Sequence, residues 1–276
     1  MLTITVASHK GGSGKTTSAV TLAYLAYEAG RLVHLIDLDP NQSATNHLTT
    51  EAVSGPGSGE VLSTSYPQAI SDVSRETRAG GDGQLLLVPG SDALIAANHE
   101  MLGDPRRLEF ILQDREKELA ESDASIVNII DCGQGIDMLT LNGTMASDAL
   151  ICPINCTGMA LSGMRQFRDM IDKVRRNQWQ GKLYFLPTIY SRQTGRLEAA
   201  EMVISALEAR FGPVEEEGQV LPPIRMWNGY DKAFRQGKAA PEIDGGRRGN
   251  KAAEDYGRVF EILSAEFQKS LSPARA

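Results

Sequence analysis

The sequence predicts an α/β fold with one doubly wound, mostly parallel sheet and helices on both faces. Three observations predict it. Short apolar runs of strand length alternate with longer helical stretches along the chain. The first three elements read strand, glycine-rich turn into helix, and strand, a βαβ unit that implies parallel pairing and a right-handed crossover. Acidic residues directly follow two of the apolar strands, at the edge where open α/β sheets bind ligands.

The elements follow in order. Leu2 to Ala7 alternates Leu, Ile and Val with Thr and reads as a buried strand. Thr16 to Ala29 is apolar nearly all round, which predicts a helix packed on more than one side, and Gly30 stops it. Leu32 to Ile36 is a second strand ending in Asp37 and Asp39. Glu51 to Glu60, with Ser54-Gly55-Pro56-Gly57-Ser58-Gly59, predicts a mobile surface loop. Leu85 to Val88 is a third short strand, and Arg106 to Glu121 an amphipathic helix. Ile126 to Ile130 is a strand followed by Asp131. Ala149 to Ile154 and Leu183 to Leu186 are strands, each followed by a helix, over Leu161 to Arg176 and Arg196 to Phe211. Tyr256 to Ser270 is a final amphipathic helix. Neither a repeat nor a low-complexity tail interrupts this alternation, so a single domain over residues 1–276 is expected.

Composition narrows the function classes. With 41% hydrophobic and 23% charged residues, the chain of 276 residues can bury a sizeable core. No apolar run approaches the roughly 20 residues of a membrane helix, and no basic segment precedes the short apolar start. Three cysteines, Cys132, Cys152 and Cys156, are too few and odd in number for a disulfide framework. A cytoplasmic protein is expected. The net charge of −7 gives no global attraction to nucleic acid, so DNA binding requires a local basic patch or one assembled by pairing two chains.

The chemistry concentrates in Lys10-Gly11-Gly12-Ser13-Gly14-Lys15-Thr16-Thr17, between the first strand and the first helix. Gly11, Gly12 and Gly14 let consecutive backbone N–H groups turn inward toward phosphate oxygens, and the helix start adds its positive dipole end. In such a loop the Lys15 ammonium reaches the β- and γ-phosphates and the Thr16 hydroxyl ligates Mg²⁺. The general phosphate-loop pattern has glycine where this chain has His9. With the extra Lys10, the run instead resembles the deviant phosphate loop of the ParA/MinD group, and the chain is identified as resembling the ParA/Soj partitioning ATPases.

That resemblance extends over almost the whole chain and carries expectations with it. Asp37-Leu38-Asp39-Pro40 matches the family's Asp-x-Asp-Pro, which implies that Asp37 supports the magnesium shell and Asp39 orients the attacking water. Ile126 to Asp131 is an apolar strand ending in one acid, which delivers a carboxylate to the magnesium shell. By resemblance Lys10 crosses a face-to-face dimer to the partner's phosphates, and Lys15 clamps those of its own nucleotide. Gly11 to Thr17 then bind ATP, and Pro187 and Pro222 lie beside the adenine. Two positions depart from the family: Asn41 stands where glutamine is usual, and Asp131 continues Cys132-Gly133-Gln134 rather than x-x-Pro. Gly133 is expected to approach the γ-phosphate by its backbone.

The resemblance implies an ATPase with slow, partner-stimulated turnover. It dimerises on ATP, binds DNA without sequence preference, and segregates chromosome or plasmid DNA with a ParB-like adaptor, on the nucleoid and without a membrane. Starting at the first strand, the chain is expected to lack the helix-turn-helix region of longer relatives. The cations gathered toward the C-terminus, Arg225, Lys232, Arg235, Arg247, Arg248 and Lys251, are the expected DNA contacts, with Glu242, Asp244, Glu254 and Asp255 interleaved. Three alternatives stand beside this reading. A ParA-like ATPase can position a protein cargo instead of DNA. A MinD-like role needs a basic amphipathic C-terminal helix, whereas Arg258, Glu261, Glu266 and Lys269 balance. An iron–sulfur role needs a cysteine pattern that Cys152-x-x-x-Cys156 does not match, so all three cysteines are read as small buried residues.

Overall fold

A computed structural model describes residues 1–49, 53–65, 67–102, 104, 106–119, 126–135, 137–156, 172, 176, 178–189, 197–211, 219–245 and 250–267. One sheet holds seven strands: β1 (Leu2–Ser8), β2 (Leu32–Leu38), β3 (Arg75–Gly80), β4 (Gly83–Val88), β5 (Ile126–Gln134), β6 (Ala149–Asn155) and β7 (Lys182–Thr188). Their order is β3-β4-β2-β5-β1-β6-β7, and every pair is parallel except β3 with β4. The described helices are α1 (Lys15–Glu28), α2 (Ser43–Leu48), α3 (Ser58–Leu62), α4 (Ile70–Val73), α5 (Ala93–Glu100), α6 (Arg107–Leu119), α7 (Met138–Met145), α8 (Leu197–Phe211), α9 (Gly229–Arg235) and α10 (Lys251–Glu266). None of them is long and apolar enough to cross a membrane.

Alternation along each strand divides the core between the two faces of the sheet. Ile4, Val6, Leu35 and Ile129 pack with α1 and α10, while Ile36, Leu38, Ile130 and Leu150 pack with α3, α5 and α7. The helix read as apolar all round is α1. It lies against β1, β2 and β5 and also touches α10, where the Ser18 and Tyr256 hydroxyls are 2.8 Å apart. Asn128, a polar residue inside the buried strand β5, is satisfied across the ladder. Its Oδ1 lies 3.2 Å from His34 Nδ1, and its Nδ2 donates to Thr3 Oγ1 at 3.2 Å.

Three expectations are corrected. The segment around Gly57 to Gly59 is not a mobile surface loop. Ser58 begins α3 and is buried; its hydroxyl donates to the Asp37 carbonyl at 2.5 Å and its N–H to the Pro89 carbonyl at 2.8 Å. A Cβ on Gly59 would stand 2.4 Å from the Leu94 backbone nitrogen, so glycine is required there for close approach rather than for flexibility. The last helix starts five residues earlier than expected, at Lys251, because the Asn250 side chain caps it by accepting from the N–H groups of Ala252 and Ala253, each at 3.0 Å. The strand read as third, Leu85 to Val88, is the fourth. It is preceded by β3, a polar antiparallel edge strand that the apolar pattern does not reveal. The helix expected over 161–176 lies almost wholly outside the described residues.

Candidate active site at the strand ends

Register brings the acids together. Asp37 on β2 pairs with Asp131 on β5, and Asp131 pairs in turn with Val6 on β1. The C-terminal ends of the three central strands therefore deliver two carboxylates and the Gly-rich loop to one place. The loop turns through two left-handed glycines, Gly12 (φ 68°) and Gly14 (φ 86°), and Gly14 leads into α1, whose start has no side-chain cap. The loop is braced from below. The Ser8 and Ser13 hydroxyls lie 2.6 Å apart, and the Thr188 hydroxyl donates to the Ser13 carbonyl at 2.7 Å. The Lys15 side chain folds back over the loop, its Nζ donating to the Lys10 carbonyl at 3.2 Å. Residues 11–17, with Asp39, Asn41, Ser43 and Gln134, enclose a cleft of about 320 Å³.

The three acids have different surroundings. Asp37 is fully buried and saturated with donors. Its Oδ1 accepts from the Asp39 N–H at 3.0 Å, and its Oδ2 accepts from the N–H and hydroxyl of Thr45 at 2.8 and 2.7 Å. Burial pushes its carboxyl up to about 6, against the lowering by Thr45 and Asp39 donors. Asp131 is equally buried, but neither of its oxygens has a hydrogen-bond partner among the described residues. Burial, then the charge of Asp37, drives its carboxyl well above the usual range, while Thr16 and Lys15 pull it down. Asp39 lines the cleft and shapes the turn after it. Its Oδ1 accepts from the Asn41 N–H (2.9 Å) and Nδ2 (3.1 Å), and its Oδ2 accepts from the Ser43 hydroxyl at 2.5 Å.

A divalent cation suits this arrangement. Two buried, orphaned carboxylate oxygens are costly unless a proton or a cation joins them, and Asp131 lies beside the first turn of α1 that carries Thr16. Asp37, already holding three hydrogen bonds, lies beside Asp131 on the neighbouring strand, and both are buried beneath the residues that line the cleft.

Apart from the buried pair Asp37 and Asp131, the expected nucleotide-site residues fall into three groups. Gly11 to Thr17 and Asp39 line the cleft directly. Lys10 is half-exposed and does not line it. Pro187 and Pro222 are buried beside one another's segments, the Pro187 carbonyl accepting from the Ile224 N–H at 2.8 Å, and neither lines the cleft. Sequence reasoning missed the supports: Ser43 and Asn41 on Asp39, Thr45 on Asp37, and Thr188 under the loop. The spacing of Asn41 and Ser43 after Asp39 was an available signal for a side-chain-closed turn.

The cationic residues do not form one free patch. The Arg225 Nε donates to both Asp255 oxygens, at 2.9 and 3.0 Å, and its guanidinium also pairs with Glu254. Those partners raise its pKa further and spend its charge locally. Arg235 pairs with Asp231 at 2.5 Å on an exposed helix turn. Lys232 and Lys251 are exposed, and Arg247 and Arg248 lie outside the described residues. All three cysteines are buried free thiols whose pKa burial raises.

Comparison with known proteins agrees with this geometry. A family model described as an AAA domain matches residues 1–183. The chromosome partitioning protein ParA of Caulobacter vibrioides (strain NA1000 / CB15N) is 29% identical over 233 residues, covering 81% of each chain. Apo McdA from a Cyanothece species superposes with a TM-score of 0.77 at 21% identity, covering 95% of this chain and 99% of that one. A Mycobacterium smegmatis structure titled cobyrinic acid a,c-diamide synthase, with a bound ATP analog and magnesium, has a TM-score of 0.75 at 26% identity, covering 99% and 98%. The family model spans most of the chain and the similarity to ParA runs along most of its length, and on that ground the chain belongs to the AAA-domain P-loop family, in its ParA/Soj group of partitioning ATPases.

Proposed function

We propose that this protein is a nucleotide-operated positioning ATPase. ATP pairs two copies, the pair holds DNA without reading its sequence, and a ParB-like or other adaptor stimulates hydrolysis and releases the DNA. The output is the location of chromosome or plasmid DNA on the nucleoid in the cytoplasm, rather than a chemical product. The observation that supports this reading is the different placement of the two loop lysines. Lys15 is buried in the cleft, while Lys10 is half-exposed outside it, as a residue serving a partner's nucleotide needs to be. Thr16 and Asp131 would hold magnesium, with Asp37 behind them, and the ion would offset charge on the β- and γ-phosphates. Pro187 and Pro222 would flank the adenine beyond the phosphate cleft.

For DNA, Lys232, Arg235, Arg247, Arg248 and Lys251 are the proposed contacts. Arg225 is assigned a lesser share, because Asp255 and Glu254 already engage it. A single copy presents a small patch, so affinity should rise when ATP pairs two. Retention on random-sequence duplex DNA should be stronger with ATP than with ADP and should fall with salt with a log–log slope of about −0.9 per phosphate neutralised. The Arg247→Ala/Arg248→Ala double variant should flatten that slope and still pair on ATP. Equal retention with ATP and ADP would favour the second reading, a ParA-like ATPase that positions a protein cargo.

A further inference from the structure

Gln134 is the polar group of the cleft that this reading leaves without a task. It is the last residue of β5, three positions beyond Asp131, and pairs in register with Ser8 at the root of the phosphate loop. Its exposed side chain lies against the loop: a Cβ on Gly11 would stand 2.6 Å from Gln134 Oε1. The residue before it is a glycine for reasons of space. A Cβ on Gly133 would stand 2.9 Å from Asp39 Oδ1. Asp39, one residue past the end of β2, and Gln134, the last residue of β5, thus line the same cleft.

Asp39 has little capacity to spare. A carboxylate offers about four lone-pair positions, and Asn41 and Ser43 occupy three of them through two bonds to Oδ1 and one to Oδ2. One remaining acceptor position can hold a water by one hydrogen but leaves its direction loosely set. The Gln134 carboxamide lines the cleft and supplies both an acceptor and a donor.

We propose that Gln134 is a positioning residue for the attacking water, acting with Asp39. This rests on the ATPase reading above. The Oε1 accepts a second hydrogen of the water, while the Nε2 donates to a γ-phosphoryl oxygen. The water oxygen then bonds to the γ-phosphorus as the bond from phosphorus to the β–γ bridging oxygen breaks. ADP leaves, and both protons of the water depart with inorganic phosphate. Gln134 forms no bond and changes no charge, so its contribution is orientation alone.

The test compares full-length wild type with Gln134→Ala, Gln134→Asn and Gln134→Glu, using ATP with magnesium and duplex DNA present. Single-turnover phosphate release and the affinity for a fluorescent ATP analogue are measured side by side. Gln134→Ala should lower the hydrolysis rate about 10- to 100-fold and shift nucleotide affinity by less than about threefold. Gln134→Asn, one methylene shorter, should recover only part of the rate. Gln134→Glu should acquire a rate that falls as pH rises through the carboxylate range, a limb absent from wild type, because the new charge faces Asp39 and the γ-phosphate. Hydrolysis by Gln134→Ala within about twofold of wild type overturns the proposal. Parallel losses of affinity and rate also overturn it, since they mark Gln134 as a brace of the loop. Wild type that binds ATP and never releases phosphate would instead sink the ATPase reading, and the proposal with it.

Discussion

Lys15→Ala is expected to lower ATP turnover by on the order of 100-fold or more and to weaken ATP binding with it. Lys15 is 8% exposed, and among the described residues it is the one cation lining the cleft. Its Nζ is held by the Lys10 carbonyl, aimed across the loop rather than into solvent. Removing one member of a buried, hydrogen-bonded charge pair costs about 2–5 kcal/mol, and each 1.4 kcal/mol is about a factor of ten. The lost partner is the β/γ-phosphate pair, present in both the ground and transition states, so affinity and rate should fall together. Phosphate release and fluorescent-nucleotide binding measure the two, with a melting curve to show that the fold is kept. Turnover close to wild type would remove the basis for assigning this loop to ATP.

Asp39→Ala should slow hydrolysis by on the order of 10²-fold while leaving ATP bound, so that an ATP-loaded dimer accumulates. Asp39 also shapes the turn into α2 through Asn41 and Ser43, so a loss of rate alone does not separate the two roles. Two further variants do. Ser43→Ala removes only the bond to Oδ2 and should retain most activity. Asp39→Asn keeps an acceptor toward the Asn41 N–H but loses the charge, and it should resemble Asp39→Ala. If Asp39→Asn hydrolyses ATP at the wild-type rate, the carboxylate serves the turn and not the water.

The central strands were legible because parallel strands covered on both faces must be largely apolar, as Leu32 to Ile36 and Ile126 to Ile130 are apart from His34 and Asn128, which satisfy one another across the ladder. The same rule hides β3. Its Arg75–Gly80 segment lies at the sheet edge, largely exposed, and carries no apolar pattern to detect. Gly57 and Gly59 were misread because composition cannot distinguish a glycine that gives freedom from one that permits close contact; Pro89 and Leu94, distant in sequence, decide that. Of the site, the loop and its acids were readable from residue type and spacing. The contrast between Asp37, saturated by Thr45, and Asp131, left with two bare oxygens, was not, since it depends on α2 folding back beside β2. Gln134 was visible as a departure from the family pattern. Its contact with Gly11 emerges only when β5 is laid beside β1.

The central claim is that ATP, and not ADP, joins two copies through Lys10. Light scattering on the full chain with magnesium and either nucleotide tests it most directly. The account predicts that wild type doubles its mass with ATP and stays monomeric with ADP, and that Lys10→Ala binds ATP yet remains a monomer with both. Wild type that is monomeric with ATP, or dimeric with either nucleotide alike, would contradict the claim; a Lys10→Ala variant that still pairs on ATP would contradict the role given to that lysine.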